Sequence, residues 1–158
     1  MQRKNMLIAV LTMLLVASPA FAQKAARNAA GSDEIKTVLE KLFAAWSELN
    51  PAKAAPFYAK DAGLMFSDIA PLKYNGWSEY AEGVPKAFAA YRSGKFMLND
   101  DLRSHRHGNW AWASATWHAE LIKNDGSKEN PEGRYTAVLE KRGQQWLVVH
   151  EHMSLPAH

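Results

Sequence analysis

The sequence predicts an α+β fold: a long N-terminal helix and two shorter helices, followed by an antiparallel sheet. Three observations carry this. Apolar residues recur at three- and four-residue steps from Ile35 to Leu49, as on one face of a helix. Beyond Gly94 the pattern is that of strands, down to Ser154. The strand segments are separated mostly by short turns, so helices come first and an antiparallel meander follows.

Residues 1–22 read as a secretory signal. Arg3 and Lys4 lead, Met6 to Val16 is apolar, and Ala20-Phe21-Ala22 supplies a small-x-small cleavage site. The expectation is a chain processed at Gln23 and located in the periplasm or secreted, with 23–31 as an Ala-rich flexible lead and one domain over 32–155. The apolar core of the signal is too short for the roughly 20 residues of a spanning helix, so no membrane anchor is expected. The whole chain has 19 Lys+Arg against 16 Asp+Glu; without the signal, which holds two basic and no acidic residues, the balance is 17 against 16. A near-neutral domain without a basic run offers nucleic acid no electrostatic footprint. The absence of cysteine excludes disulfides, thiolate zinc sites and a cysteine nucleophile, so stability must come from packing.

Ser32, followed by Asp33 and Glu34, is a good N-cap for the first helix. Ile35, Val38, Leu39, Leu42, Phe43, Trp46 and Leu49 form its apolar stripe, and Asn50-Pro51 stops it while capping a second, shorter helix. Leu64 to Phe66 reads as a short strand after the turn at Asp61-Ala62-Gly63. Ser78 begins a third helix, with Tyr80, Ala81, Val84, Ala87, Phe88 and Tyr91 on its apolar side and Gly94 at its end. Phe96 to His107, Trp110 to Ile122, Arg134 to Arg142 and Gln145 to Ser154 are the meander strands.

The last strand holds the most suggestive residues. With Gly143-Gln144 as a two-residue turn, strict alternation sets Leu139 opposite Val148, Ala137 opposite His150 and Tyr135 opposite His152. Trp146, Val148, His150 and His152 then share one face. Leu147, Val149, Glu151 and Met153 share the other, with Arg134 diagonal to Glu151. A sheet apolar on both sides needs two covers, and the helices supply one. The expectation is therefore a homodimer through the sheet.

This order of elements, with FYAKDA at Phe57 to Ala62, NGWSEY at Asn75 to Tyr80 and the closing WLVVHEHMS, resembles the SnoaL-like branch of the nuclear transport factor 2-like superfamily. That superfamily also holds ketosteroid isomerase, scytalone dehydratase and the association domain of calcium/calmodulin-dependent kinase II. The resemblance implies a curved sheet wrapped round a long helix, with a pocket at the mouth of the cone. It does not imply isomerase activity: the position matching the isomerase base is Phe66, with Asp68 two places on, and the region matching its oxyanion tyrosine offers Leu42 and Phe43. The arginines of the association-domain pocket are matched by Trp117 and Ala137, which argues against the same ligand.

The expected site is an aromatic pocket lined by Trp46, Tyr58, Phe66, Tyr80, Trp117 and Tyr135, with His150 and His152 as its polar groups. Imidazoles titrate near neutrality, so the two histidines are also the candidate acid/base pair. Their bland reading is structural. His105-x-His107 repeats their spacing, but a plain meander sets the two pairs on opposite faces, so no metal site is expected. Three functions stay open: an exported protein binding a small, partly apolar molecule; a cofactor-free isomerase, lyase or hydrolase using His150 or His152; and an accessory module acting on another protein through its sheet.

Overall fold

The computed structural model describes the backbone of residues 19–157 and the side chains of 31–157. Most of the expected signal segment lies outside the described residues. Among the described residues three α-helices, α1 (Pro19–Trp46), α2 (Pro51–Ala54) and α3 (Gly76–Phe88), accompany eight strands. These are β1 (Met65–Ser67), β2 (Tyr74–Asn75), β3 (Tyr91–Leu98), β4 (Arg103–His107), β5 (Trp110–Lys123), β6 (Lys128–Glu129), β7 (Glu132–Arg142) and β8 (Gln145–Ser154). The sheet runs β2-β1-β8-β7-β5-β3, with β4 and β6 also paired to β5.

The expected stripe does form the buried side of α1: Ile35, Leu39, Leu42, Phe43 and Trp46 are all buried. Opposite them the inner face of the sheet carries the small side chains of Ala111, Ala113, Ala115 and Ala137. Each large apolar side chain so buried contributes roughly 1.5–3 kcal/mol. Toward the other end the inner residues become large, Trp117 and Tyr135, and α1 ends. The sheet there stands off from the helices, and the cone opens. Asn50 caps α2 as expected, its side chain accepting from the Ala52 amide at 2.9 Å. No helix among the described residues is long and apolar enough to cross a membrane.

Several expectations need correction. First, α1 starts at Pro19 and runs through 23–31, so Ser32 is not a cap; its hydroxyl instead bonds that of Ser104 at 2.8 Å. Secondly, α3 ends at Phe88, and Tyr91 and Gly94 belong to β3. The single strand expected from Phe96 to His107 is two, β3 and β4, both on the same edge of β5. The break is held by Asp101, which accepts from both the amide and the hydroxyl of Thr116 at 2.9 Å.

Thirdly, the sheet is mixed, because β1 pairs with β8 in parallel. Fourthly, the register of β7 and β8 shifts. Arg142 faces Gln145 and Leu139 faces Val148 as expected, but Val138 then faces His150, leaving Val149 as the extra residue of a β-bulge. From there on every side chain is on the face opposite to that given by strict alternation. Ala137 faces Glu151 and Tyr135 faces Met153, so Glu151 and Met153 point inward while His150 and His152 point outward.

Candidate active site in the cone

The open end of the cone holds a cavity of about 290 Å³. Phe43 and Trp46 of α1, Tyr80, Val84 and Phe88 of α3, Phe96 of β3, Trp117 and Leu121 of β5, Tyr135 of β7 and Met153 of β8 make its walls. The loop after β1 contributes Asp68, Ile69 and Ala70 to the mouth. The aromatic rings pack on one another: Phe43 meets Tyr135 edge-on at 5.0 Å, and Tyr80 stacks on Phe66 at 5.4 Å. Such contacts fix ring positions, so the walls are preformed.

At the floor is Glu151, 1% exposed and, among the described residues, the one charged side chain buried in the core. Its carboxylate accepts from three tyrosines. Tyr80 donates to Oε1 at 2.6 Å, Tyr135 to Oε2 at 3.0 Å, and Tyr58 lies 2.8 and 2.9 Å from the two oxygens. Trp46 Nε1 in turn donates to the Tyr58 hydroxyl at 2.9 Å. Each tyrosine comes from a different element: Tyr58 follows the 3-10 turn after α2, Tyr80 is on α3 and Tyr135 is on β7. One carboxylate therefore ties three parts of the chain to β8.

Burial is the largest influence on Glu151 and pushes its pKa from 4.5 up to about 7, against the opposing pull of the three tyrosine donors. The Asp68 charge adds to the upward push. Desolvation also drives the three tyrosine hydroxyls well above their usual value, with the negative charge of Glu151 next in importance. Asp68 at the mouth is held above the ordinary aspartate range by burial, which the hydrogen bond from the Ile69 amide only partly offsets. At the opposite rim Glu129 accepts from the Tyr91 hydroxyl at 2.6 Å and pairs with Lys123.

Of the residues expected to line the pocket, Trp46, Tyr80, Trp117 and Tyr135 do so. Tyr58 and Phe66 are buried behind that wall, Tyr58 reaching the site through Glu151. His150 and His152 are not in the cavity: the bulge turns them to the outer face, where His150 Nδ1 bonds the Met65 carbonyl at 2.7 Å. His105 and His107 face outward too, opposite Trp112 and Trp110, so the two pairs share a face, contrary to the expected register. Two strands nevertheless separate His105 from His150, about 14 Å at ordinary strand spacing. Among the described residues no three His, Cys, Asp or Glu are grouped to hold a metal. Arg134 is exposed on the outer face and does not pair with Glu151.

Glu151 is the candidate site residue that the sequence reading set on the wrong face. A signal for it exists: Leu147-Val148-Val149 breaks strict alternation, as the extra residue of a bulge does.

The SnoaL-like domain model matches residues 35–158. The chain belongs to this family. The SnoaL-like cone is also similar to solved structures. One is a nuclear transport factor 2-like protein of Salmonella enterica serovar Typhimurium, 22% identical, covering 82% of this chain and 94% of that one with a TM-score of 0.74. A second is a candidate scytalone dehydratase of Novosphingobium aromaticivorans, 11% identical, covering 82% and 86% with a TM-score of 0.72. A third is a candidate calcium/calmodulin-dependent protein kinase II association domain of Xanthomonas campestris, 21% identical, covering 79% and 87% with a TM-score of 0.69. At these identities the likeness is one of fold. No curated protein matches the sequence.

Proposed function

We propose that the SnoaL-like cone binds a small, partly apolar molecule and that Glu151 exchanges a proton with it, as in an isomerase or dehydratase. The observation that carries this reading is a fully buried carboxyl at the floor of an aromatic cavity, titrating at about 7. A general base or acid works best when its pKa is near the working pH, and such a group contributes roughly 10² to 10⁴ in rate. The proton-transfer role expected of His150 and His152 passes to Glu151. When Glu151 takes a proton its carboxyl accepts one hydrogen bond fewer, which frees the Tyr80 or Tyr135 hydroxyl to donate to an oxygen on which charge develops.

A nitrobenzisoxazole tests this, since its ring opens on loss of one C–H proton and needs no other reagent. The protein should accelerate that opening, with a rate that rises with pH through about 7 as Glu151 ionises, and Glu151→Gln should abolish the acceleration. A rate unchanged by Glu151→Gln would sink the proton-transfer role and leave binding alone.

The same reading includes export to the periplasm or medium, supported by the signal-like residues 1–22. It also includes a homodimer through the outer face of the sheet, supported by Trp110, Trp112 and Met65, which are 51%, 48% and 41% exposed. Sedimentation equilibrium of the chain lacking 1–22 should give twice the protomer mass, and Trp112→Glu should halve it; a wild-type monomer would rule the dimer out.

A further inference from the structure

Resting on the cone being a small-molecule site, we infer that its ligand is a small organic cation: a protonated amine on an aromatic or aliphatic body. The charge of the lining points there. Asp68, Glu129 and Glu151 face the cavity, and among the described residues no lysine, arginine or histidine does. Glu129 is already neutralised by Lys123. Asp68 and Glu151 are not: among the described residues neither takes part in an ion pair.

A buried carboxylate without a counter-charge is destabilised by desolvation. An ammonium group in the cavity supplies a missing counter-charge, and a bond from it to either carboxylate is charge-assisted. The remaining walls suit the rest of such a molecule. Trp46, Trp117 and Phe88 are among them, aromatic rings of the kind that attracts a cation electrostatically and an apolar body by burial. An anion meets two uncompensated negative charges, and a neutral molecule leaves both unpaired, so the lining selects by charge.

The test uses three probes of one shape: 2-phenylethylamine, 2-phenylethanol and 3-phenylpropanoate, titrated against tryptophan fluorescence at pH about 8, where Glu151 is mostly ionised and the amine mostly protonated. The amine should bind roughly tenfold or more tighter than the alcohol, the increment expected of one hydrogen bond between charged groups, and the acid weakest of all. Glu151→Gln should bring the amine close to the alcohol, and Asp68→Asn, at the mouth and away from the tyrosine cluster, should narrow the gap in part. Equal or tighter binding of the alcohol or the acid, or no saturable binding of the amine, overturns the assignment.

The two readings fail separately. A Glu151-dependent opening of the neutral benzisoxazole with no preference for the amine refutes only the cation. A preference for the amine with no ring opening refutes only the proton transfer.

Discussion

The Tyr80 hydroxyl lies 2.6 Å from Oε1 of Glu151, joining α3 to β8 across 71 residues of sequence. It is the shortest of the three tyrosine bonds and the strongest of the influences that lower the Glu151 pKa. A donor to the ionised form favours ionisation, so removing it moves the pKa upward. Tyr80→Phe should therefore raise the Glu151 pKa above about 7, and Tyr135→Phe, whose bond is longer, should raise it less. Loss of one buried hydrogen bond costs about 1–3 kcal/mol, which leaves the fold in place for the measurement. Carbon-13 NMR of the labelled glutamate carboxyl follows both shifts; a pKa unmoved by Tyr80→Phe would show that this bond does not tune the site.

Glu151 also makes stability depend on pH, with a definite sign. Its folded pKa of about 7 lies above the unfolded 4.5, so between these values the folded chain holds more protons than the unfolded one. Stability due to this group is present below 4.5 and lost as pH rises toward 7, by roughly 3 kcal/mol for a shift of that size. Glu151→Gln has no such titration. Denaturant unfolding of both proteins across that range should show the wild type losing stability relative to the variant as pH rises. A constant difference would mean that Glu151 has an ordinary pKa.

How much of this was legible in the sequence depends on the range of the interaction that decides each feature. The stripe from Ile35 to Trp46 and the alternation along β5 and β7 are local periodicities, and both were readable. The turn at Gly143-Gln144 correctly set Arg142 opposite Gln145 and Leu139 opposite Val148. The bulge at Val149 came next, and it undid the reading beyond that point, because a shift of one residue exchanges the faces of all that follow. His150 and His152 thereby lost the pocket to Glu151. The cluster itself joins residues up to 93 positions apart, Tyr58 and Glu151, and no periodicity encodes it. The three tyrosines were singled out as aromatic lining or core, while the acceptor that gathers their hydroxyls was assigned to the wrong face.

The last prediction concerns the wall opposite α3. Gly133 begins the part of β7 that passes under Trp117, its direct partner on β5. A Cβ placed there would stand 2.3 Å from the Ser154 carbonyl oxygen and 2.7 Å from Trp117 Nε1. The first neighbour is backbone and the second is an indole whose Nε1 donates to the Arg134 carbonyl at 3.3 Å, so neither yields freely. Gly133→Ala should cost about 1–3 kcal/mol, the usual penalty of overpacking, whereas Thr136→Ala on the exposed outer face should stay within about 0.5 kcal/mol. Trp117 also lines the cavity, so any displacement of its indole alters the cavity wall. Gly133→Ala should thus weaken phenylethylamine binding as well as lower the denaturation midpoint. A midpoint equal to that of the wild type would show that β5 and β7 separate there more easily than their close packing implies.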